Sequence, residues 1–414
     1  MPKFIASETR AFIKAATGSA IINGLALLVG MAGSILLTRA LGAEGRGLLA
    51  WITSLSSIAT VILQFGIGQA SRRFVAEDSS RAGDMAIATI LVSAAGAAII
   101  LPLFIFYGLN AQIAEKSNAL VFIGMIIAPI MAINVNLSDL LLALHKNFFY
   151  NIHLLTQKTV NSLLVVMLIV LGGATPAYAI LALLASYAAQ LALLLSFIKH
   201  ELHSRLHQLS WIFHNLKAYI TASYLGHLLQ IISTSLIPIL IASISGAKEA
   251  GLFAAPMILI DAARASINMV SMHTLPHIAK AADECDRKRR IKHSLCITLF
   301  FSVGAALVFY ISAAWVLALL FGAEFVQAAN ILRILAVGLV FICMHNTLLA
   351  IIASLFEGVR LVFSSAIVAI ASNLICAMLA ERYGAMAGAI AFLLGNSAAC
   401  VAAALCFLNK PGVR

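Results

Sequence analysis

Twelve stretches of this chain are long and apolar enough to cross a lipid bilayer, and that feature decides most of what it can fold into. A hydrocarbon layer about 30 Å thick takes about 20 consecutive, mainly apolar residues in helical form. Runs of that kind, broken by glycine, proline or charge, cover 17 to 37, 47 to 68, 85 to 107, 119 to 144, 159 to 173, 176 to 198, 216 to 243, 251 to 273, 294 to 320, 328 to 354, 361 to 380 and 384 to 408. The fifth is short and meets the sixth across Gly172, Gly173 and Pro176, which reads as a tight helical hairpin. Composition agrees, with 62% hydrophobic and 10% charged residues, against about 45–50% and about 25% in soluble domains. No single water-soluble core hides that much apolar surface. The expected fold class is an all-α polytopic membrane protein.

The segment before the first run is polar and basic, with Lys3, Arg10 and Lys14. The run itself is too long for a signal-peptide core and lacks a cleavage pattern, so it is read as a retained span. An even number of spans puts both termini on one side, and lysine and arginine favour the cytoplasmic side. With cytoplasmic termini, 20 of the 27 Lys and Arg fall on inner segments, among them Arg72, Arg73, Lys146, Lys158 and the run Arg287 to Lys292. Six fall outside, namely Arg39, Arg46, Lys116, Lys248, Arg333 and Arg382, and Arg264 is left inside the eighth span. The net charge of +11 is thus a topology signal, not a nucleic-acid footprint. The run Arg287 to Lys292 reads as a solvated inner loop able to attract anionic headgroups of membrane lipids. Of six cysteines only Cys285 lies in a polar loop. No C-x-x-C pair or metal-ligand spacing is present, so they read as small apolar residues without a metal site.

The chain also repeats itself. Ile35 to Ala50, ILLTRALGAEGRGLLA, and Ile239 to Ala254, ILIASISGAKEAGLFA, match at seven of 16 positions at an offset of 204, including Gly42/Gly246 and Gly47/Gly251. Two halves follow, 1–199 and 216–414, joined by a cytoplasmic linker at 200–215. Each has six spans, so both enter the membrane from the same side, a parallel repeat related by an axis along the membrane normal. Thr53, Ser57, Thr60 and Gln64 share one face of the second span. The same offset gives Met257, Asp261, Arg264 and Asn268 in the eighth. Ser19, Asn23, Ala26 and Gly30 in the first span correspond to Ser223, His227, Gln230 and Thr234 in the seventh.

A charge at the bilayer centre costs about 2.5–3.5 kcal/mol, so Asp261 and Arg264 should face water or each other. They read either as a mutually neutralised structural pair, with Asn268 and Gln230 bonding across helices, or as the lining of a water-filled cavity between the halves. Recurrence on both halves favours the cavity. Pro129, Pro238 and Pro256 fall within spans and would remove helical hydrogen bonds there.

The stretch Leu36 to Glu77 resembles the first two spans of polysaccharide exporters in the multidrug/oligosaccharidyl-lipid/polysaccharide (MOP) flippase superfamily, of the Wzx-type O-antigen flippase kind. The residues that carry the likeness are the R-x-L-G-x-x-G-x-G turn from Arg39 to Gly47, then Gly66, Gly68, Gln69 and the basic Arg72 and Arg73. The resemblance implies a MATE-like fold whose cavity is lined chiefly by the first, second, seventh and eighth spans. It also implies a protein that carries an undecaprenyl-pyrophosphate-linked oligosaccharide from the inner to the outer leaflet of a bacterial inner membrane. By position, Arg264 would meet the pyrophosphate, helped by His227 and by Arg39 or Arg46. A guanidinium suits this because its donors pair with phosphate oxygens two at a time. Asn23, Gln64, Gln230 and Asn268 would bond sugar hydroxyls. No cofactor and no ATP-binding motif is expected. Energy would come from a proton or sodium gradient or from downstream consumption of product, with Asp261, Asp139 and Glu357 as coupling candidates. Polymerase and chain-length proteins of the same pathway are candidate partners.

Three rival readings remain at this point, a drug/cation antiporter, a membrane enzyme and a pure scaffold, the last of which explains the spans but not the matched polar stripes. A MATE-like drug/cation antiporter shares the architecture but calls for buried carboxylates facing a cationic substrate. The peptidoglycan-precursor flippase branch usually has spans beyond twelve. A membrane polymerase, ligase or acyltransferase would need an acid, base or nucleophile cluster at a membrane face. The nearest cluster is His200, His203, His207 and His214 on the linker, which reads better as an interfacial solvated helix. No catalytic residue is assigned.

Overall fold

The computed structural model describes residues 2–111, 113, 118–199, 222–272, 283–355 and 359–408, and all of the secondary structure among them is helical. The first helix, α1 (Pro2–Gln64), turns at Gly42, whose φ of 67° and ψ of −176° lie outside helical space. A glycine adopts that backbone without a Cβ penalty. It divides α1 into a first arm, 2–41, and a second arm, 43–64. The amide of Ala43 opens the second arm by donating to Glu324 Oε2 at 3.2 Å, an anion placed at a helix N-terminus. Then follow α2 (Ile67–Glu77), a 3₁₀ turn, α3 (Ala82–Asn110), α4 (Asn118–Ala143), α5 (Asn147–Val170) and α6 (Pro176–Ile198). The second half comprises α7 (Ala222–Ser245), α8 (Ala247–Met272), α9 (Glu284–Phe321), a 3₁₀ segment (Ala323–Ala328), α10 (Ala329–Leu355), α11 (Val359–Tyr383) and α12 (Ala385–Leu408).

Eleven of the described helices are long and apolar enough to cross a bilayer, and the turn at Gly42 makes two spans of the first. The twelve spans read from the sequence therefore each have a helix. The helices containing Pro129, Pro238 and Pro256 run on through those residues. At 38 residues, α9 is about 57 Å long, so its basic first turns reach beyond the hydrocarbon.

One boundary is corrected. The fifth span, expected from 159, belongs to a helix that starts at Asn147, so Lys158 lies at the middle of α5 and not on an inner segment. Asn151, His153 and Gln157 make the first half of α5 look like a loop, but all three side chains are buried against the rest of the bundle.

The repeat is a physical contact. A Cβ on Gly47 would overlap the carbonyl oxygen of Ala247, and a Cβ on Gly251 would overlap that of Ala43. Both pairs, 43/247 and 47/251, are separated by 204 residues. The second arm and α8 therefore cross backbone to backbone about a local two-fold axis, an approach that small residues permit. Glycine also ends α7, since Gly246, with φ 97°, stands where Gly42 stands in the first half.

Within the first half, the second arm and α2 are bonded to α4 at a constant spacing of 68 residues. Ser56 Oγ donates to the Gly124 carbonyl at 2.7 Å, Thr60 Oγ1 to that of Ala128 at 3.2 Å, and the Gly68 amide to Asn136 Oδ1 at 3.1 Å. Between the second and third of these bonds the helix breaks at Phe65 and Gly66, with φ of 45° and 74°. Asn136 spans the break, because its Nδ2 also donates to the Gln64 carbonyl at 3.3 Å. One side chain thus meets groups that the break leaves without helical partners.

The main apolar core joins both halves through residues such as Trp51, Ile52, Ile241, Phe253, Phe321 and Leu335. Phe300, Ile311 and Met378 are at least three-quarters exposed, as side chains facing lipid should be.

Candidate functional site

Three polar places stand out in the bundle, and the first two lie where the halves meet. On α8, Arg264 Nη2 and Asp261 Oδ1 form an ion pair at 2.9 Å across an i,i+3 spacing. Arg46, from the first turns of the second arm, adds a second positive charge acting on Asp261. Its buried Nε has no hydrogen-bond partner among the described residues. Two guanidiniums around one carboxylate leave the cluster net positive. Asn268, one turn beyond Arg264, has an unpartnered Oδ1. Met257, Asp261, Arg264 and Asn268 are all open to some degree, while Leu259, Ile260 and Ile267 behind them are buried. The polar stripe of the eighth span is thus a real face, with the ion pair lying along it.

The second place is at the broken end of the second arm. Arg72 of α2 pairs with Asp139 of α4 at 2.5 Å, and His227 of α7 interacts with both charges from the other half. Beside it, Tyr224 Oη donates to the Val61 carbonyl at 3.1 Å and lies 3.3 Å from that of Ile62. A bond from one half to the other therefore ties this end, while the Gly47/Gly251 crossing brings the halves together at the turn end.

The remaining sequence candidates are dispersed. Arg39 is exposed near the Gly42 turn. Gln64 is buried, with its carbonyl held by Asn136. Thr60 bonds α4, and Thr53 and Ser57 bond carbonyls of their own helix, so this stripe serves packing as much as any cavity. Gln230 opens toward a small space between α7, α10, α11 and α12. Glu357 and the linker histidines lie outside the described residues.

The third place was missed by sequence reasoning, and Asn23 belongs to it. A cavity of about 350 Å³ lies inside the first half, lined by Asn23 of the first arm, Asn134 and Ser138 of α4, His153, Gln157 and Lys158 of α5, and Gln190 of α6. The stem of Lys158 lies over Gly30, where a Cβ would stand 2.9 Å from the lysine Cδ. The available signal was the i,i+4 pair His153/Gln157 followed by Lys158, whose polarity resembled a loop's.

A described chain made of helices, eleven of them long and apolar enough to cross a bilayer, with charge held inside the bundle, defines a multi-pass membrane protein. The chain belongs to the family described as "Polysaccharide biosynthesis protein", whose model matches residues 13–282. A comparison with curated proteins finds no significant match. Among solved structures, the chain is similar to an inward-facing multidrug resistance MATE family transporter of the MOP superfamily, with TM-score 0.76 and 16% identity over 92% of this chain and 93% of that one. It is similar also to the lipid II flippase MurJ in an inward closed conformation, with TM-score 0.76 and 13% identity over 95% of this chain and 88% of that one. A third is a MOP superfamily transporter from Pyrococcus furiosus, described as having a binding pocket of reverse polarity, with TM-score 0.65 and 16% identity over 95% and 94%.

Proposed function

We propose that the chain moves an undecaprenyl-pyrophosphate-linked oligosaccharide from the inner to the outer leaflet of a bacterial inner membrane, with both termini cytoplasmic. The observation that carries this reading is the net-positive cluster of Arg46, Asp261 and Arg264 at the junction of the halves. A pyrophosphate placed there would take guanidinium donors from both halves and offset the surplus charge. A cationic drug would meet two like charges for one opposite. Family membership supports a role in making polysaccharide.

The two contacts between the halves at opposite ends of the second arm support an alternating-access reading. Parting Tyr224 from the Val61 carbonyl would open one end, and parting the glycine crossing would open the other. The halves 1–199 and 216–414 would rock about this junction, with 200–215 joining them in sequence. Asp139, held by Arg72 and faced by His227 across the halves, is the best placed of the described acids to couple transport to a proton gradient. Downstream consumption of product is the other energy source. The test is replacement of both cations. Arg264→Ala and Arg46→Ala are each expected to lower surface polysaccharide at least about tenfold at normal protein abundance. Normal polysaccharide in both would sink the headgroup assignment.

A further inference from the structure

We infer that the cavity inside the first half is a second cargo site, selective for an acidic sugar unit of the transported oligosaccharide, with Lys158 receiving its carboxylate. The inference rests on the glycan-transport reading and names the class of sugar that this reading leaves open.

Physical chemistry makes the cavity hard to explain as packing. Lys158 sits halfway along a membrane-crossing helix, exposed even though its stem lies over Gly30, and none of the ion pairs among the described residues includes it. A lone ammonium at that depth is costly, so it should face water or a counter-charge. Two buried acceptors point the same way. Asn134 Nδ2 donates to the Tyr187 carbonyl at 3.1 Å, which leaves Asn134 Oδ1 as the acceptor in its 3.4 Å contact with His153 Nε2. The imidazole proton is then on Nε2, and Nδ1, with no partner among the described residues, is an acceptor. Gln190 uses its Nε2 on the His153 carbonyl at 3.2 Å, and its Oε1 also has no partner. His153 and Gln190 are 1% and 5% exposed, and both line the cavity.

The second half supplies a control. Its counterpart cavity is lined from α7, α10, α11 and α12, with Met131/Ile342, Asn134/His345 and Ser138/Leu349 in register at an offset of 211 and His153/Ser365 at 212. That space is polar too, yet it holds about 20 Å³, room for about one water. The same architecture can therefore pack nearly shut, and the first half keeps about 350 Å³, within the range of ligand pockets.

What fits is set by the unmet groups, which are two acceptors needing donors and one cation needing an anion. A pyrophosphate ionised at neutral pH brings charge without donors and would leave His153 Nδ1 and Gln190 Oε1 stranded. A neutral sugar brings hydroxyl donors but leaves Lys158 uncompensated. A sugar carrying a carboxylate supplies both.

The test uses the full chain in nanodiscs and two free disaccharides, glucuronosyl-glucose and glucosyl-glucose, titrated by saturation-transfer NMR. The acidic probe should bind at least about tenfold more tightly. Lys158→Gln should bring the ratio of affinities close to one, and Lys158→Arg should restore part of it. Gln190→Met should weaken both probes, since it removes an acceptor and leaves the charge. Equal affinities in the wild type, or a ratio that survives Lys158→Gln, would overturn the site. Should Lys158→Gln fail to fold, the wild-type ratio and Gln190→Met still decide. The transport reading is tested separately with prenyl-pyrophosphate-linked disaccharide in proteoliposomes, and its failure there leaves the nanodisc ratio as evidence on the cavity.

Discussion

The glycine crossing offers the sharpest perturbation, because the groups in the way are backbone and cannot swing aside. In Gly47→Ala the new methyl would stand on the Ala247 carbonyl, and in Gly251→Ala on that of Ala43. A methyl needs about 3.5–4.0 Å from its neighbours, so the second arm and α8 must separate. Overpacking of this kind costs about 1–3 kcal/mol. The cost falls only on the state in which the crossing is closed, so all of it is differential, which is about a 5- to 150-fold change in the odds of that state. Spin labels at Glu44→Cys and Lys248→Cys, both exposed beside the crossing, would report the closed population as a short distance once the native cysteines are replaced. Each glycine variant should deplete that population by a similar factor. The double variant should fall short of the product of the two, since the first methyl already parts the helices. An unchanged short-distance population in both single variants, or independent additive effects, would refute the two-fold contact.

Two further outcomes follow from named hydrogen bonds. Asn136→Ala strands the Gln64 carbonyl and the Gly68 amide at the break, a cost of about 1–3 kcal/mol for each buried group, and should lower the thermal transition of the purified protein clearly more than Ser138→Ala, which removes a bond within α4 alone. Tyr224→Phe keeps the ring and loses the bond to Val61, worth about 1 kcal/mol, so dipolar distances across the broken end should show about a fivefold shift toward separation with little change in melting.

The spans were legible because their cause is local: hydrocarbon demands apolar residues over a fixed length, and the sequence must show it. The glycine motif from Arg39 to Gly47 was legible as a resemblance, and the structure supplies its reasons. Gly42 makes the turn, Gly45 fits against Leu41 and Pro176, and Gly47 makes the crossing. Gly66 and Gly68 likewise have a backbone reason, since one takes a positive φ and a Cβ on the other would overlap Asp139. What could not be read was which polar groups are shared between helices. Asp261 and Arg264 lie on one helix and their spacing foretold the pair, whereas Arg46 joins them only through the crossing. Arg72 and Asp139 are 67 residues apart and meet because the second arm, its break and α4 keep one register.

The interior cavity escaped for a more specific reason. An offset of 204 aligns the first two spans of each half, but α9 has 38 residues where its counterpart α3 has 29. Beyond that point the halves correspond at 211 to 212 and no longer at 204. A fixed slide therefore pairs His153 with position 357 and Asn134 with 338, and the two polar linings never line up. Aligned by structure, the halves agree in skeleton and disagree in chemistry. The position 212 beyond Lys158 is Ile370, 60% exposed and apolar. The duplicated frame repeats the turn and crossing glycines on both sides, whereas Lys158, in none of the ion pairs among the described residues, has an apolar counterpart, so selectivity for charge on the cargo should follow changes in α5 and not in α11.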